Sequence, residues 1–191
     1  NPGTSDNPDS GYRSRFSHER ETASPGYYSV MLDDYHILAE LTATERVGLH
    51  RYTYTNTGET NLVLDMTAGI YNYPGKNIWQ FLRVENDTLI TGYRQTRGWG
   101  RTRIIFFAMV LSKPIVRYGY ENKEEIIYKG FYRKFNEKEN FPEMAGKNVK
   151  AWFRFNMESG EQLVVKMALS AVSTNGALKN LNTEARGLTF D

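Results

Sequence analysis

The sequence predicts an all-β fold, an antiparallel β-sandwich followed by one C-terminal helix. Three observations predict it. Short runs alternate apolar and polar residues along most of the chain, and turn residues separate them at near-regular intervals. Aromatic residues make up 14% of the composition, which suits pleated, half-buried surfaces. Helical periodicity enters only near the end.

The elements can be justified in order. Residues 1–26 are broken by Asn1-Pro2-Gly3, Asn7-Pro8, Ser10-Gly11 and Ser24-Pro25-Gly26, so they read as irregular apart from a short strand over 12–16. Residues 27–32 and 36–42 flank Asp33-Asp34-Tyr35 and form a hairpin. Over 45–55, His50, Tyr52 and Tyr54 fall on one face and Leu49, Arg51 and Thr53 on the other. Asn56-Thr57-Gly58-Glu59 is the next turn, leading into a strand marked by Leu62, Leu64 and Met66.

Strands over 78–84 and 88–96 enclose the turn Glu85-Asn86-Asp87. That turn accounts for Asn86-Asp87-Thr88 better than a glycosylation sequon does. Gly98-Trp99-Gly100 then interrupts the chain before 103–111, which is apolar on both faces, as a central strand is. Lys113-Pro114 ends it, because proline brings no N–H to a ladder. Strands over 115–120, 125–135, 149–155 and 162–170 follow, the last two joined into a hairpin by the turn Glu158-Ser159-Gly160. The helix occupies 176–185, with Ser173 or Thr174 as N-cap, Ala177, Leu178 and Leu181 on its apolar face, and Gly187 as its stop.

A length of 191 residues fits one domain, or one with a small appendage. The formal charge of +2 is too weak a bias for a nucleic-acid-tracking protein. No apolar run reaches the ~18 residues of a membrane helix. The first residue is not Met and no signal segment follows, so a processed or trimmed N-terminus is expected. The absence of Cys removes disulfides, thiolate metal sites and Cys nucleophiles while leaving the compartment open.

The carboxylate pairs that could serve glycoside hydrolysis are Glu19 with Glu21, Asp33 with Asp34, Glu124 with Glu125 and Glu137 with Glu139. Asp33-Asp34 reads as turn chemistry, and the last two pairs as solvated loop or strand ends beside lysines. His18-Glu19-Arg20-Glu21 is the one dense polar cluster, and a surface or interface ion-pair network explains it more simply than catalysis. The three histidines, His18, His36 and His50, lack both a nucleophile elbow and metal-ligand spacing. No glycine-rich loop opens a helix where a phosphate could sit. Trp99, between two glycines and flanked by Arg97 and Arg101, is free to stack on a sugar or to pack on another domain. The residues alone give a β-rich domain without a catalytic constellation.

Several stretches nevertheless resemble one family. The run from Phe16-Ser17-His18-Glu19-Arg20-Glu21 through Thr22-Ala23-Ser24-Pro25-Gly26-Tyr27-Tyr28-Ser29-Val30 is similar to a signature segment of glycoside hydrolase family 92, the bacterial exo-α-mannosidases. Glu40-Leu41-Thr42-Ala43-Thr44-Glu45-Arg46-Val47-Gly48-Leu49-His50-Arg51-Tyr52 continues it. Gly92-Tyr93-Arg94, Trp99, Phe106-Phe107, Ser112-Lys113-Pro114, Val172-Ser173 and Asn180-Leu181 follow in the same order.

The resemblance implies a supersandwich-like N-terminal domain over 1–172, lacking its first segment, and a helix and linker over 173–191. It also implies a C-terminal α-helical catalytic barrel on the same polypeptide, which carries the catalytic acid and bases and binds Ca2+. None of those residues carries over to this chain, so no catalytic and no metal-binding residue is expected in it, and the fragment alone should be inactive. The whole enzyme is expected to be periplasmic or extracellular and to release mannose from mannose-rich glycans with inversion. Phe16, His18, Glu19, Glu21 and Trp99 are the residues expected nearest the sugar or the domain interface, since polar and aromatic groups in turns project from a rigid sheet. An uncovered sheet edge or apolar patch left by the missing segment is expected to give either a chain–chain contact or an exposed groove on that side. The alternative is a stand-alone carbohydrate-binding or adhesin-like sandwich, which would share the aromatic content and the all-β pattern.

Overall fold

A computed structural model of the chain describes residues 11–69, 71, 73–122 and 142–191. These residues form two antiparallel sheets and one helix. The strands are β1 (Glu21–Ser24), β2 (Tyr27–Leu32), β3 (Ile37–Ala43), β4 (Val47–Tyr54), β5 (Gly58–Asp65) and β6 (Asn77–Val84). After them come β7 (Leu89–Thr96), β8 (Arg103–Leu111), β9 (Arg117–Asn122), β10 (Glu143–Gly146), β11 (Val149–Met157) and β12 (Gln162–Ser170). The helix α1 spans Thr174–Glu184. Nine strands make the large sheet in the order β1-β2-β3-β4-β12-β8-β7-β6-β10, and β5-β11-β9 make the small one.

Alternation builds the core. Phe107, Met109 and Leu111 on β8, Leu163 and Val165 on β12, and Leu82 and Val84 on β6 face Val149, Ala151, Phe153, Phe155 and Met157 of β11. The small sheet covers only part of the large one, so this core lies over the middle strands. Gln80 is fully buried between the sheets. Its amide donates to Met66 O at 2.6 Å and accepts from Val149 N at 2.7 Å, so no buried polar atom of that side chain is stranded.

The outer face of the large sheet is covered by α1. Leu181 and Ala185 pack on Val47, Leu49 and Ala168. Ser173 caps the helix by accepting from Gly176 N at 3.0 Å, which settles the choice between Ser173 and Thr174. Lys166 Nζ then holds the carbonyls of Ala185 at 3.0 Å and Leu188 at 2.6 Å, so the chain beyond the helix is held against the sheet.

The expected strands over 103–111 and 162–170 coincide with β8 and β12, and the central place of β8 agrees with its two apolar faces. Three expectations differ, the first being the hairpin over 149–155 and 162–170: β11 pairs with β5 and β9 while β12 pairs with β4 and β8, so the Glu158-Ser159-Gly160 turn crosses from the small sheet to the large one. Residues 12–16 join no ladder. Instead they are laced to the β2–β3 turn, where Asp33 N donates to Arg15 O at 3.0 Å and Arg15 N donates to Asp34 at 2.7 Å. β1 and β10 were not foreseen, because four residues are too few for a period of two to stand out. The expected strand over 125–135, and the pairs Glu124-Glu125 and Glu137-Glu139, lie outside the described residues.

Candidate functional site

The antiparallel register places the loops at the two ends of the sandwich. At one end meet residues 66–76 between β5 and β6, 97–102 between β7 and β8, and 147–148 between β10 and β11. The loops fold on one another through backbone groups. Lys76 N donates to Tyr73 O at 3.1 Å, Arg97 N to Lys76 O at 2.9 Å, and Gly98 N to Gly100 O at 3.2 Å. Tyr73 OH donates to Arg97 O at 2.9 Å, which fixes its ring beside Gly98.

Arg94 locks the first of these loops from below. Its guanidinium donates to Asn77 Oδ1 at 2.8 and 3.1 Å and to Ala68 O at 2.6 Å, so β7, β6 and the loop share one anchor. Burial pulls the Arg94 pKa down from its ordinary value, and these acceptors hold the charge in place. Between the loops opens a cleft of about 760 Å³, lined by Thr67, Tyr73, Asn77, Arg97, Lys147 and Asn148, among others.

Trp99 lies two residues beyond Arg97, which lines this cleft. It is fully exposed, at 109% of the reference area. A ring held out by a two-glycine loop over a rigid hairpin keeps both faces open for stacking. Tyr73, Asn77 and Arg94 did not stand out from the sequence as site residues. The signals that could have found them are the Pro74-Gly75 turn after Tyr73 and the Gly92-Tyr93-Arg94 string.

The other predicted residues gather at the opposite end. His18 and Glu19 form a single 3-10 turn with Arg20, capped by Ser17. Glu21 opens β1 and accepts from Tyr28 OH at 2.6 Å while His18 Nδ1 lies 2.5 Å from its other oxygen. The Tyr28 and His18 hydrogen bonds hold the Glu21 carboxyl below the usual carboxylate range. Phe16 is half exposed and meets the His18 ring edge-on at 5.4 Å. Arg20 pairs with Asp33 at 2.8 Å, and Arg15 hydrogen-bonds Asp34 at 2.7 Å, so the Asp33-Asp34 pair is turn chemistry, as its residue types suggest.

The structure therefore brings Phe16, His18 and Glu21 together, leaves Glu19 exposed beside them, and keeps Trp99 apart. Five strand spacings separate β1 from β8, which is ~24 Å, and the two loops lie at opposite strand ends. One monosaccharide cannot touch both groups. Among the described residues, no group of three or more His, Cys, Asp or Glu converges where a metal ion could be held. Among the same residues, no helix is long and apolar enough to cross a membrane.

Comparison with known proteins places this architecture. Residues 1–170 match the model of the glycosyl hydrolase family 92 N-terminal domain. The whole chain is similar, with 38% identity and a TM-score of 0.85, to 24% of the family GH92 α-mannosidase BT3965 from Bacteroides thetaiotaomicron in complex with mannoimidazole. The fold is also that of the family GH92 inverting mannosidase BT2199 from Bacteroides thetaiotaomicron VPI-5482, with 24% identity and a TM-score of 0.72 over 92% of this chain and 21% of that one. No curated protein sequence gives a significant match. The chain spans about a quarter of the length of the solved relatives. With an all-antiparallel sandwich matched end to end, the chain belongs to glycosyl hydrolase family 92 and carries its N-terminal domain.

Proposed function

We propose that the polypeptide carrying this domain is an exo-α-mannosidase that releases mannose from mannose-rich glycans with inversion, and that this domain is its non-catalytic partner at the sugar pocket. The observation that carries the reading is the similarity of the whole chain, at 38% identity, to about a quarter of a solved α-mannosidase. The catalytic carboxylates and a Ca2+ ion belong, in this reading, to an α-helical barrel on the same polypeptide. The enzyme works outside the cytoplasm, in the periplasm or beyond.

Within the domain, the end bearing Trp99 is the face turned to the sugar. A rigid loop pair, an open aromatic ring and a polar cleft occur together there and nowhere else among the described residues. Phe16, His18, Glu19 and Glu21, at the far end, serve as a domain contact, since their carboxylate and imidazole already satisfy one another. The test is hydrolysis of an α-mannoside by the full-length protein, with the product anomer followed by NMR and with a chelator added in a parallel run. Release of β-mannose, lost on chelation, is the expected result. Release of the α-anomer, or no hydrolysis of any α-mannoside, overturns it.

A further inference from the structure

Asn followed directly by Gly occurs once in the chain, at Asn175-Gly176. The pair falls in the first turn of α1, where Asn175 is exposed to water. A glycine brings no Cβ to hinder its own backbone nitrogen, so that nitrogen can approach the amide carbon of the preceding side chain. Packing demands the glycine. A Cβ at Gly176 would sit 2.5 Å from Ser170 Oγ, and that oxygen is tied to Val172 N at 3.1 Å. The fold also holds the reactive pair back. Helical backbone angles turn Gly176 N away from the Asn175 side chain, Ser173 Oγ accepts from Gly176 N at 3.0 Å, and Ala177 N donates to Ser173 O at 3.0 Å to close the turn.

From the exposed Asn-Gly pair and the hydrogen-bonded turn that encloses it, we propose that Asn175 is a site of spontaneous deamidation whose rate is set by opening of the first turn of α1. When the turn opens, Gly176 N attacks Asn175 Cγ. The new N–Cγ bond closes a five-membered imide, and the side-chain nitrogen departs as ammonia with the proton that Gly176 N gives up. Water then opens the ring. Breaking the bond from nitrogen to Cγ leaves aspartate, and breaking the bond from nitrogen to the backbone carbonyl carbon leaves isoaspartate. One water is consumed, one ammonia is released, and nothing is oxidised or reduced. The two products meet the fold differently. The first turn of α1 carries no acidic residue, so an aspartate there complements the helix dipole and stands four residues before Lys179, the favourable order for an acid and a base on one helix face. Isoaspartate lengthens the main chain by a methylene, which draws Gly176 N off the Ser173 cap and loosens the helix whose Leu181 and Ala185 cover Val47, Leu49 and Ala168.

The experiment incubates the full-length polypeptide in mildly alkaline buffer for weeks, folded in one series and unfolded in urea in the other. The tryptic peptide over 167–179 holds Asn175 as its one asparagine, so its gain in mass reports this site, and chromatography resolves isoaspartate from aspartate. The expected result is conversion about tenfold or more slower in the folded protein than in urea, because only the opened turn reacts. Ser173→Ala should speed the folded rate by about fivefold, the share of an N-cap in holding the turn closed, and leave the rate in urea unchanged. Ser173→Thr keeps the hydroxyl acceptor and should stay near the parent rate. Asn175→Asp should melt about 1–2 °C above the parent, as the product that suits the helix. Equal rates folded and in urea, no conversion in either, a folded rate indifferent to Ser173→Ala, or an Asn175→Asp variant that melts below the parent each overturns the proposal.

Discussion

Arg51 and Glu40, direct neighbours across β4 and β3, meet through two parallel hydrogen bonds, Nε to Oε2 at 2.7 Å and Nη2 to Oε1 at 2.8 Å. Glu40 is 6% exposed, the one buried charged residue among those described. Arg51 holds its carboxyl below the usual carboxylate range against the opposing effect of burial, and Tyr27 OH adds a third hydrogen bond at 2.9 Å. The same guanidinium reaches Asp191 at 2.7 Å and lies 4.4 Å over the Phe190 ring. One residue thus joins the sheet to the end of the described chain.

Breaking this pair from one side should be worse than removing it. Arg51→Met leaves a buried carboxylate unpaired and is expected to cost about 3–5 kcal/mol. Adding Glu40→Leu in the same chain should recover most of that loss, since an apolar pair of similar volume avoids the desolvation cost. Urea unfolding of the two single variants and the double variant reads the coupling directly. A double variant no better than Arg51→Met alone would mean that the loss comes from Phe190 and Asp191 coming loose.

Gly92 is required by packing and not by a turn. A Cβ there would sit 2.2 Å from Phe81 O and 2.7 Å from the Phe107 ring. Neither the backbone carbonyl nor a ring inside the core can yield cheaply. Gly92→Ala should destabilise the domain by roughly 3 kcal/mol or more in urea unfolding, and adding Phe107→Leu should recover little of it, because the Phe81 carbonyl stays in the way. Gly160, at φ +81° in the β11–β12 turn with nothing within 4 Å, is the contrasting case. Its replacement strains only the backbone.

Asp65 anchors the N-terminal strap to the small sheet. Burial alone would raise its pKa, but hydrogen bonds from Thr67 and Tyr12 and the Lys150 ammonium at 3.1 Å outweigh it and bring the carboxyl down to about 2. A depressed carboxylate stabilises the fold above its unfolded pKa of ~3.9, and that contribution is lost as pH falls towards 2. Asp65→Asn should therefore lower stability by about 1–2 kcal/mol at pH 7 and make little difference at pH 2. Chemical denaturation at the two pH values checks it, and equal losses at both would show a purely steric role.

These relationships show what the sequence could and could not display. The alternation of His50, Tyr52 and Tyr54 against Leu49 and Arg51 was legible, because period-two patterning survives in any strand long enough to repeat it. The hairpin at Asp33-Asp34 was legible from turn chemistry, and so was the turn at Glu158-Ser159-Gly160, but not that it carries the chain from the small sheet to the large one. The pairing of β4 with β12 was not, since they are more than a hundred residues apart and carry no mark of partnership. Nor was the cleft, whose walls Thr67, Arg97 and Asn148 come from three loops of ordinary composition. Trp99 could be singled out by its flanking glycines. Its distance from Glu21 could not, because that depends on strand order.

His50 makes the fold sensitive to mild acid. Its ring is largely buried on the inner face of β4, and its Nδ1 lies 2.9 Å from Tyr52 OH. Burial holds its pKa below the ordinary histidine value. The unfolded chain therefore takes up a proton near pH ~6.5 that the folded chain resists, and stability must fall as pH drops below that value. The melting temperature is expected to decline by roughly 2–4 °C between pH 7.5 and 5.5, before the carboxylates begin to titrate. His50→Gln should flatten that decline, whatever its effect on stability at neutral pH. An unchanged slope in the variant would assign the decline to another group.

The final prediction concerns Trp99 in the whole polypeptide. Its ring is fully exposed and makes no core contact, so the domain does not need it to fold. Two roles remain, and they separate experimentally. If the ring stacks on the sugar, Trp99→Ala should lower kcat/KM on α-mannosides by about tenfold or more, through the lost stacking contact, while the melting curve stays in place. If it packs instead on the neighbouring barrel, the same replacement should move the melting transition or uncouple the two domains, with the loss of activity following the loss of stability. Trp99→Phe distinguishes them again, since a smaller ring still stacks but fills an interdomain pocket poorly. Unchanged kinetics and unchanged melting in Trp99→Ala would remove this residue from the site and leave the cleft to be judged without it.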